Sequence, residues 1–304
     1  MATILLTGSA GHIGRHLSAE LRRRGHDVRG FDLRGVGIDR GDLRNSAAVA
    51  AACANVAGII HLAAVSRVDD AERDPAACHA TNVDGTATLL AGAHASVSAP
   101  WLIFVSSREV LGPVPAHRPA NETSAPSPRN VYAHSKLQAE QLVHDGRQQG
   151  LRAVTFRLSN VFGSAHDRPE RVMPTFVRQA ILGATLHVRG PARAFDFLHV
   201  DDTVRGLADA ADRMTAGIQL PHTLHLVAGI SRSLGEVAQQ VVAESRSCSP
   251  IVCTEPAGHE VGSFYGSGRL ATEVLNWTPQ ITLEHGLARL VALLRPANQP
   301  EVTL

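Results

Sequence analysis

Tyr132 and Lys136 stand four residues apart in the stretch YAHSK, and Lys136 is the sole lysine of the chain, the remaining 28 of its 29 basic side chains being arginines. Residues i and i+4 share one face of a helix, so the spacing predicts an ammonium held beside a phenol. A compact ammonium and a broad planar guanidinium are not interchangeable. A composition that uses arginine everywhere else and keeps lysine here marks a position where guanidinium fails. The chemistry such a pair could do is base catalysis. A free phenol, with a pKa of about 10, is a poor base near neutrality, and a fixed cation favours its ionised form. It could then take the proton of a secondary alcohol while the carbon gives up hydride.

Two further groupings bear on that chemistry. Ser106, Ser107, Arg108 and Glu109 close an apolar run, putting a hydroxyl, a cation and an acid at one strand end. Near the N-terminus, TILLT runs directly into GSAGHIGRHL, with Gly8, Gly11 and Gly14 in GxxGxxG spacing. Glycine there permits a tight turn and close approach of main-chain amides to a pyrophosphate, which the positive end of the following helix favours. Asp32 follows 18 residues after Gly14. A carboxylate at that place accepts hydrogen bonds from ribose hydroxyls and repels a 2′-phosphate, which favours NAD over NADP. Arg34 opposes this if its guanidinium turns inward to offset Asp32.

The elements that must position these residues alternate through the first 160 residues, short apolar runs with longer amphipathic ones, as in βαβ units around a parallel sheet. Strands are expected at 3–7, 27–32, 58–63, 101–107 and 153–158, with helices between. The proline-rich stretch from Gly112 to Arg129 is expected to be a loop, and its position just before Tyr132 makes it a wall of the site. HVDDTVRGLADAADR reads as a helix capped by Asp201 or Asp202. The expected fold is α/β: a Rossmann-type doubly wound parallel sheet over 1–163, to which 196–213 returns, with a smaller substrate-binding cap from 164–195 and 214–304. The tail beyond Pro296 is expected to fray.

Composition narrows the partners. A net charge of +1 argues against a nucleic-acid protein, and Arg22 to Arg24 read as the solvated end of a helix. The sixteen histidines include no HxH or HExxH, so no metal site is expected. Cys53, Cys78, Cys248 and Cys253 lack CxxC spacing and read as reduced, mostly buried thiols of a cytoplasmic protein. No segment reads as a secretory signal or a membrane span.

With TGSAGHIG, Asp32, GDLR (41–44), HLAA (61–64), TNVDGT (81–86), SSREVLG (106–112), YAHSK and RLSNVFG (157–163) in this order, the chain resembles the extended short-chain dehydrogenase/reductases. More narrowly, it resembles their NAD-dependent sugar-nucleotide epimerase/dehydratase group over nearly its whole length. The resemblance implies bound NAD, a nucleotide-sugar substrate and a homodimer packed through the helix before Tyr132 and the helix containing it. It implies that Asp42 and Leu43 flank the adenine, that Leu62, Ala63 and Ala64 line the cofactor's path, and that Asn82 supports the strand carrying it. His12, Ile13, Leu33, Arg34 and Ser106 join the cofactor set beside Gly8, Gly11, Gly14 and Asp32. Tyr132 and Lys136 fall on the catalytic pair, with Lys136 also reaching the cofactor ribose. Ser107 falls on the hydroxyl that touches the reacting oxygen, and Asn160 on a substrate contact.

Departures bear on the reaction. Related dehydratases carry Asp then Glu after the hydroxyl residue; here Arg108 holds the general-acid place, and a guanidinium cannot donate a proton near neutral pH. Glu109 beside a hydroxyl is also found in hexuronate decarboxylases, and it reads equally as the salt-bridge partner of Arg108 or another arginine. Leu111 replaces a common Tyr. Phe195 stands where a diphosphate-gripping Arg is usual, and a second such Arg, near Pro256 to Glu260, is missing. Arg189, Arg193 or Arg269 are the expected substitutes. The expected activity is 4-epimerisation by transient oxidation. Decarboxylase, dehydratase and simple dehydrogenase are the alternatives, and an NAD-binding sensor or scaffold is the non-enzyme one.

Overall fold

A computed structural model describes residues 1–114, 118–255 and 262–296. The expectations for Pro256 to Glu260 and for the tail beyond Pro296 fall outside the described residues, apart from Pro296 itself. Six parallel strands form the central sheet in the order β2-β1-β3-β4-β5-β9: β1 (Thr3–Thr7), β2 (Asp27–Phe31), β3 (Gly58–His61), β4 (Trp101–Ser107), β5 (Ala153–Leu158) and β9 (Thr223–Leu226). Parallel strands covered on both faces read as near-continuous apolar runs, and β4 and β5 are buried almost throughout. The chain leaves β1 for β2 on one side and returns for β3 on the other, so strand order reverses between β1 and β3. Ligands of open α/β sheets bind outside the carboxyl ends of the strands at such a reversal.

Helices α1 (His12–Arg23) and α8 (Val200–Thr215) cover one face. In α1, Leu17 and Leu21 lie one turn apart and both pack into the core, while Arg22 and Arg23 in its last turn face outward. Arg24 does not end as a solvated charge: it bonds Glu20, Asp209 and Asp212, each at 2.7 Å, and so fastens α1 to α8. The other face carries α2 (Ser46–Cys53), α5 (Gly85–Ala95) and α6 (Val131–Gln148). Asn130 caps α6, accepting from Ala133 N at 2.7 Å. The cap of α8 is His199, whose ring nitrogen accepts from Asp201 N at 3.1 Å, rather than Asp201 or Asp202. Asp202 is buried and serves the C-terminal segment instead.

A second core gathers α7 (Val172–Ile181), α9 (Leu234–Glu244) and α11 (Leu283–Leu294). They pack with two small sheets, one of β6 (Asn160–Phe162), β8 (Ala194–His199) and β10 (Ser231–Ser233), the other of β7 (Leu186–Arg189) and β11 (Ile251–Thr254). Asn160 pairs in register with Phe197, so the end of β5 and the second core meet beside Ser107. Of the four free cysteines, Cys53 and Cys78 are buried, whereas Cys248 and Cys253 are exposed. Among the described residues no helix is long and apolar enough to cross a membrane, and no cluster of side chains is arranged to hold a metal.

Candidate active site

The glycine turn fits where larger residues cannot. Gly8 has φ +72°, and a Cβ there would lie 2.7 Å from Ala63 N; at Gly14 it would meet the Gly8 carbonyl oxygen at 2.1 Å. The turn therefore lies flat against the end of β3, at the strand reversal. Gly11 precedes α1 and gives it no side-chain cap, so the first-turn amides and the positive helix end remain for an anion. Asp32 is buried, its two oxygens accepting from Ala10 N at 3.1 Å and Arg34 N at 2.8 Å. Its carboxylate is thus fixed at the rim of the turn, where a ribose would come. The Arg34 side chain stays largely exposed, with Nε 3.6 Å from Asp32. A glycine cradle closed to any Cβ, beside an anchored carboxylate, fits a dinucleotide with free ribose hydroxyls.

The rest of that set is distributed as follows. Ile13 packs on the core, and Leu33 is exposed. His12 opens α1 with both ring nitrogens buried and without a hydrogen bond, Nδ1 lying 3.9 Å from Asp167; burial, helped by Arg171, pushes its pKa down to about 3. Asp42 is gripped by Arg44, with 2.6 Å between Nη2 and Oδ2, which lowers its pKa, and Leu43 is buried against Gly85. Ala63 N donates to Thr7 Oγ1 at 3.2 Å, and Leu62 and Ala64 flank it, partly buried. Asn82 accepts from Val65 N at 2.8 Å and donates to Ser135 Oγ at 2.9 Å, tying the chain beyond β3 to α6. Ser106 Oγ is buried without a partner.

Tyr132 and Lys136 occupy the first turns of α6 and are both buried. The Ser107 side chain lies near the phenol and favours its ionised form, while its own Oγ accepts from Glu109 N at 3.2 Å. Burial pushes the phenol up to about 12; Ser107 opposes this, Glu109 adds to it, and Arg171 pulls the other way. The ammonium lies over the Phe104 ring, 4.5 Å from its centroid, toward β4. Burial pulls its pKa down to about 8 against the support of Glu140. The chain's own groups therefore leave the phenol protonated at neutral pH. The charges acting on the phenol are those of Glu109, Arg171 and Cys78, whereas the expected neighbour Lys136 turns to the Phe104 ring, so a further positive charge is needed to make the phenol a base.

Arg108 and Glu109 sit in a single 3-10 turn, Arg108–Leu111, directly after β4. Their side chains pair at 2.7 Å. Glu109 also receives Asn130 Nδ2 at 3.3 Å, and Arg108 Nε donates to Asn160 Oδ1 at 3.3 Å. Ser107, Arg108, Glu109, Tyr132 and Asn160 are thus brought together.

The arginines expected to replace the missing diphosphate grip are placed differently. Arg189 is exposed, Arg193 donates to the Arg189 carbonyl at 3.0 Å, and Arg269 is on the surface, paired with Glu273 at 2.7 Å. Arg171 was not singled out by any motif, yet its charge acts on both Tyr132 and His12 from the N-terminus of α7. No motif marks Asp196 either. It is fully buried, accepts from Ala228 N at 2.8 Å and Gly229 N at 2.7 Å, and burial raises its pKa to about 6.

Residues 4–222 match the NAD dependent epimerase/dehydratase family. The chain belongs to that family. It is 26% identical over 310 residues to the UDP-glucose 4-epimerase of Rhizobium leguminosarum bv. trifolii, covering 92% of this chain and 94% of that one. It is 30% identical over 308 residues to UDP-glucuronic acid decarboxylase 1 of Danio rerio, covering 95% and 71%. Among solved structures, MoeE5 in complex with UDP-glucuronic acid and NAD superposes with a TM-score of 0.86 at 27% identity, over 96% of this chain and 99% of that one. The family member is therefore an enzyme of the extended short-chain dehydrogenase/reductase type with a Rossmann fold, as its sequence motifs imply.

Proposed function

We propose that this enzyme epimerises a nucleotide sugar at C4. The observation that carries the reading is a buried phenol near Ser107, on the helix face that also carries the chain's only lysine, at the sheet end where the glycine turn fits a dinucleotide. NAD, when bound, supplies the hydride acceptor and returns the hydride. Gly8, Gly11 and Gly14 would hold its pyrophosphate, Asp32 its adenosine ribose, and Lys136 its second ribose. Tyr132 and Ser107 grip the same sugar oxygen. Tyr132 removes its proton as C4 becomes a ketone and restores the proton when C4 is reduced on the other face, while Ser107 stabilises the charge on that oxygen in between.

Neither step needs an acid beyond the phenol. Arg108 cannot act as a proton donor, and Glu109 is engaged by Arg108 and Asn130, which disfavours elimination of water. Decarboxylation is the second reading, supported by Glu109 next to Ser107 and by the likeness to a UDP-glucuronic acid decarboxylase. The same proposal includes a homodimer packed through α5 and α6.

The test incubates the purified protein with UDP-glucose and UDP-glucuronic acid and follows products by NMR, with absorbance reporting NADH. A 4-epimer with no net NADH supports the proposal. A pentose with carbon dioxide makes the enzyme a decarboxylase, and stoichiometric NADH makes it a dehydrogenase.

A further inference from the structure

Arg108 is 5% exposed and still leaves one end of its guanidinium without a partner. Its donors can be followed one by one. Nη2 pairs with Glu109 at 2.7 Å and Nε donates to Asn160 at 3.3 Å, while Nη1 finds no acceptor among the described residues. The group packs on the rings of Phe195 and Phe264, with centroids 4.9 and 5.4 Å away, which fixes its plane. The nearby carboxylate of Asp196 is taken up by the amides of Ala228 and Gly229. An unpaired buried donor is costly, and a guanidinium cannot relieve the cost by losing its proton. Arg108 directly follows Ser107, and its charge and the Tyr132 phenol act on one another, so the guanidinium lies beside the place of the reacting alcohol.

We propose that Arg108 Nη1 binds the carboxylate of a hexuronate, and that this enzyme prefers a nucleotide sugar that is acidic at C6. The proposal rests on the C4 reading above, because C6 is carried by the carbon next to C4. A carboxylate oxygen accepts a charge-assisted bond from Nη1, stronger than the bond a neutral oxygen forms there. A hydroxymethyl group offers one neutral oxygen. The phosphates of the nucleotide carry the same anionic chemistry, so the test includes UDP alone.

The experiment measures dissociation constants of the NAD-loaded protein for UDP, UDP-glucose and UDP-glucuronic acid, in the wild type and in Arg108→Met. The wild type is expected to bind the acid about 30-fold more tightly than the neutral sugar, the ratio that one charge-assisted hydrogen bond of about 2 kcal/mol supplies. In Arg108→Met that ratio falls to near one while the affinity for UDP is retained. Three results overturn the proposal: a wild type that does not favour the acid, a variant that keeps the preference, or a variant that loses UDP, UDP-glucose and UDP-glucuronic acid alike, which would make Arg108 a diphosphate grip. If Arg108→Met does not fold, the wild-type ratio decides together with Arg108→Lys, which keeps the charge and should keep part of the preference. Binding is read without turnover. Acid preference without any 4-epimer therefore sinks the epimerase reading alone, whereas epimerisation with a preference for UDP-glucose sinks this one alone.

Discussion

The buried Lys136 ammonium lies over the ring of Phe104 and is supported by the charge of Glu140. A guanidinium is wider and planar and carries its charge farther from the stem. Lys136→Arg is therefore expected to lower kcat by about 100-fold or more, the usual cost of losing part of a proton-transfer apparatus, with the fold retained by circular dichroism. Near-normal turnover would refute the role given to the lysine. The same burial makes the residue a reporter of pH. Its folded pKa of about 8 lies below the unfolded 10.5, so between those values the unfolded chain carries a proton that the folded chain has released. Stability contributed at this site must then rise with pH across that window and be level below it. Against Lys136→Met, the difference in Tm should move in favour of the wild type from about pH 8 to about pH 10.5. Tyr132 titrates in both proteins and largely cancels. A difference flat across the window would mean that the amine is better solvated than its 4% exposure indicates.

At the scale of elements, α6 carries Tyr132, Lys136 and Glu140 at successive four-residue steps, and the third of these anchors the helix to the sheet. Arg157 of β5 grips Glu140 with Nε at 3.0 Å from one oxygen and Nη2 at 2.7 Å from the other, both side chains less than a tenth exposed. Removing one partner of a buried pair strands the other charge, so Glu140→Leu is expected to cost about 3 kcal/mol, read as a lower denaturant midpoint with an unchanged m-value. Restoring neutrality with Arg157→Leu as well should recover much of that loss. This anchor shows what the sequence could and could not disclose. The strands TILLT, WLIFVSS and AVTFRL read directly, because burial on both faces leaves an unbroken apolar run. The glycine turn and the YAHSK stretch are also contiguous, so their places at the starts of α1 and α6 could be read from spacing, while the turn of the Lys136 ammonium toward Phe104 could not. Arg157, Arg171 and Asp196 reach their partners only through tertiary packing, and no local pattern marks them. The three- and four-residue strands β6, β10 and β11 are too short to show a period. His199 displaced the expected aspartates as the cap of α8 because Asp202 was needed elsewhere.

That use of Asp202 holds the whole molecule together. Its carboxylate is 1% exposed with the rest of the residue and accepts from Gln280 N at 3.0 Å, from Ile281 N at 2.8 Å and from Arg205 at 2.6 Å. Its carbonyl receives the indole N–H of the fully buried Trp277 at 3.0 Å. Arg205 in turn donates to the Thr278 carbonyl at 2.6 Å. The segment 277–281, which leads into α11 and the second core, is thereby tied to α8, which packs on α1 directly behind the glycine turn. Asp202→Ala would leave two main-chain amides and a guanidinium without their acceptor, for which a loss of about 3 kcal/mol is expected. Asp202→Asn, which keeps one carbonyl oxygen, should lose less. The effect should also be local: amide exchange at Gln280 and Ile281 should accelerate more than exchange in β4 or β5. Uniform acceleration would mean that 277–281 opens only with the whole molecule, and unchanged exchange at both amides would remove Asp202 from its place as the link between the cofactor-side sheet and the second core.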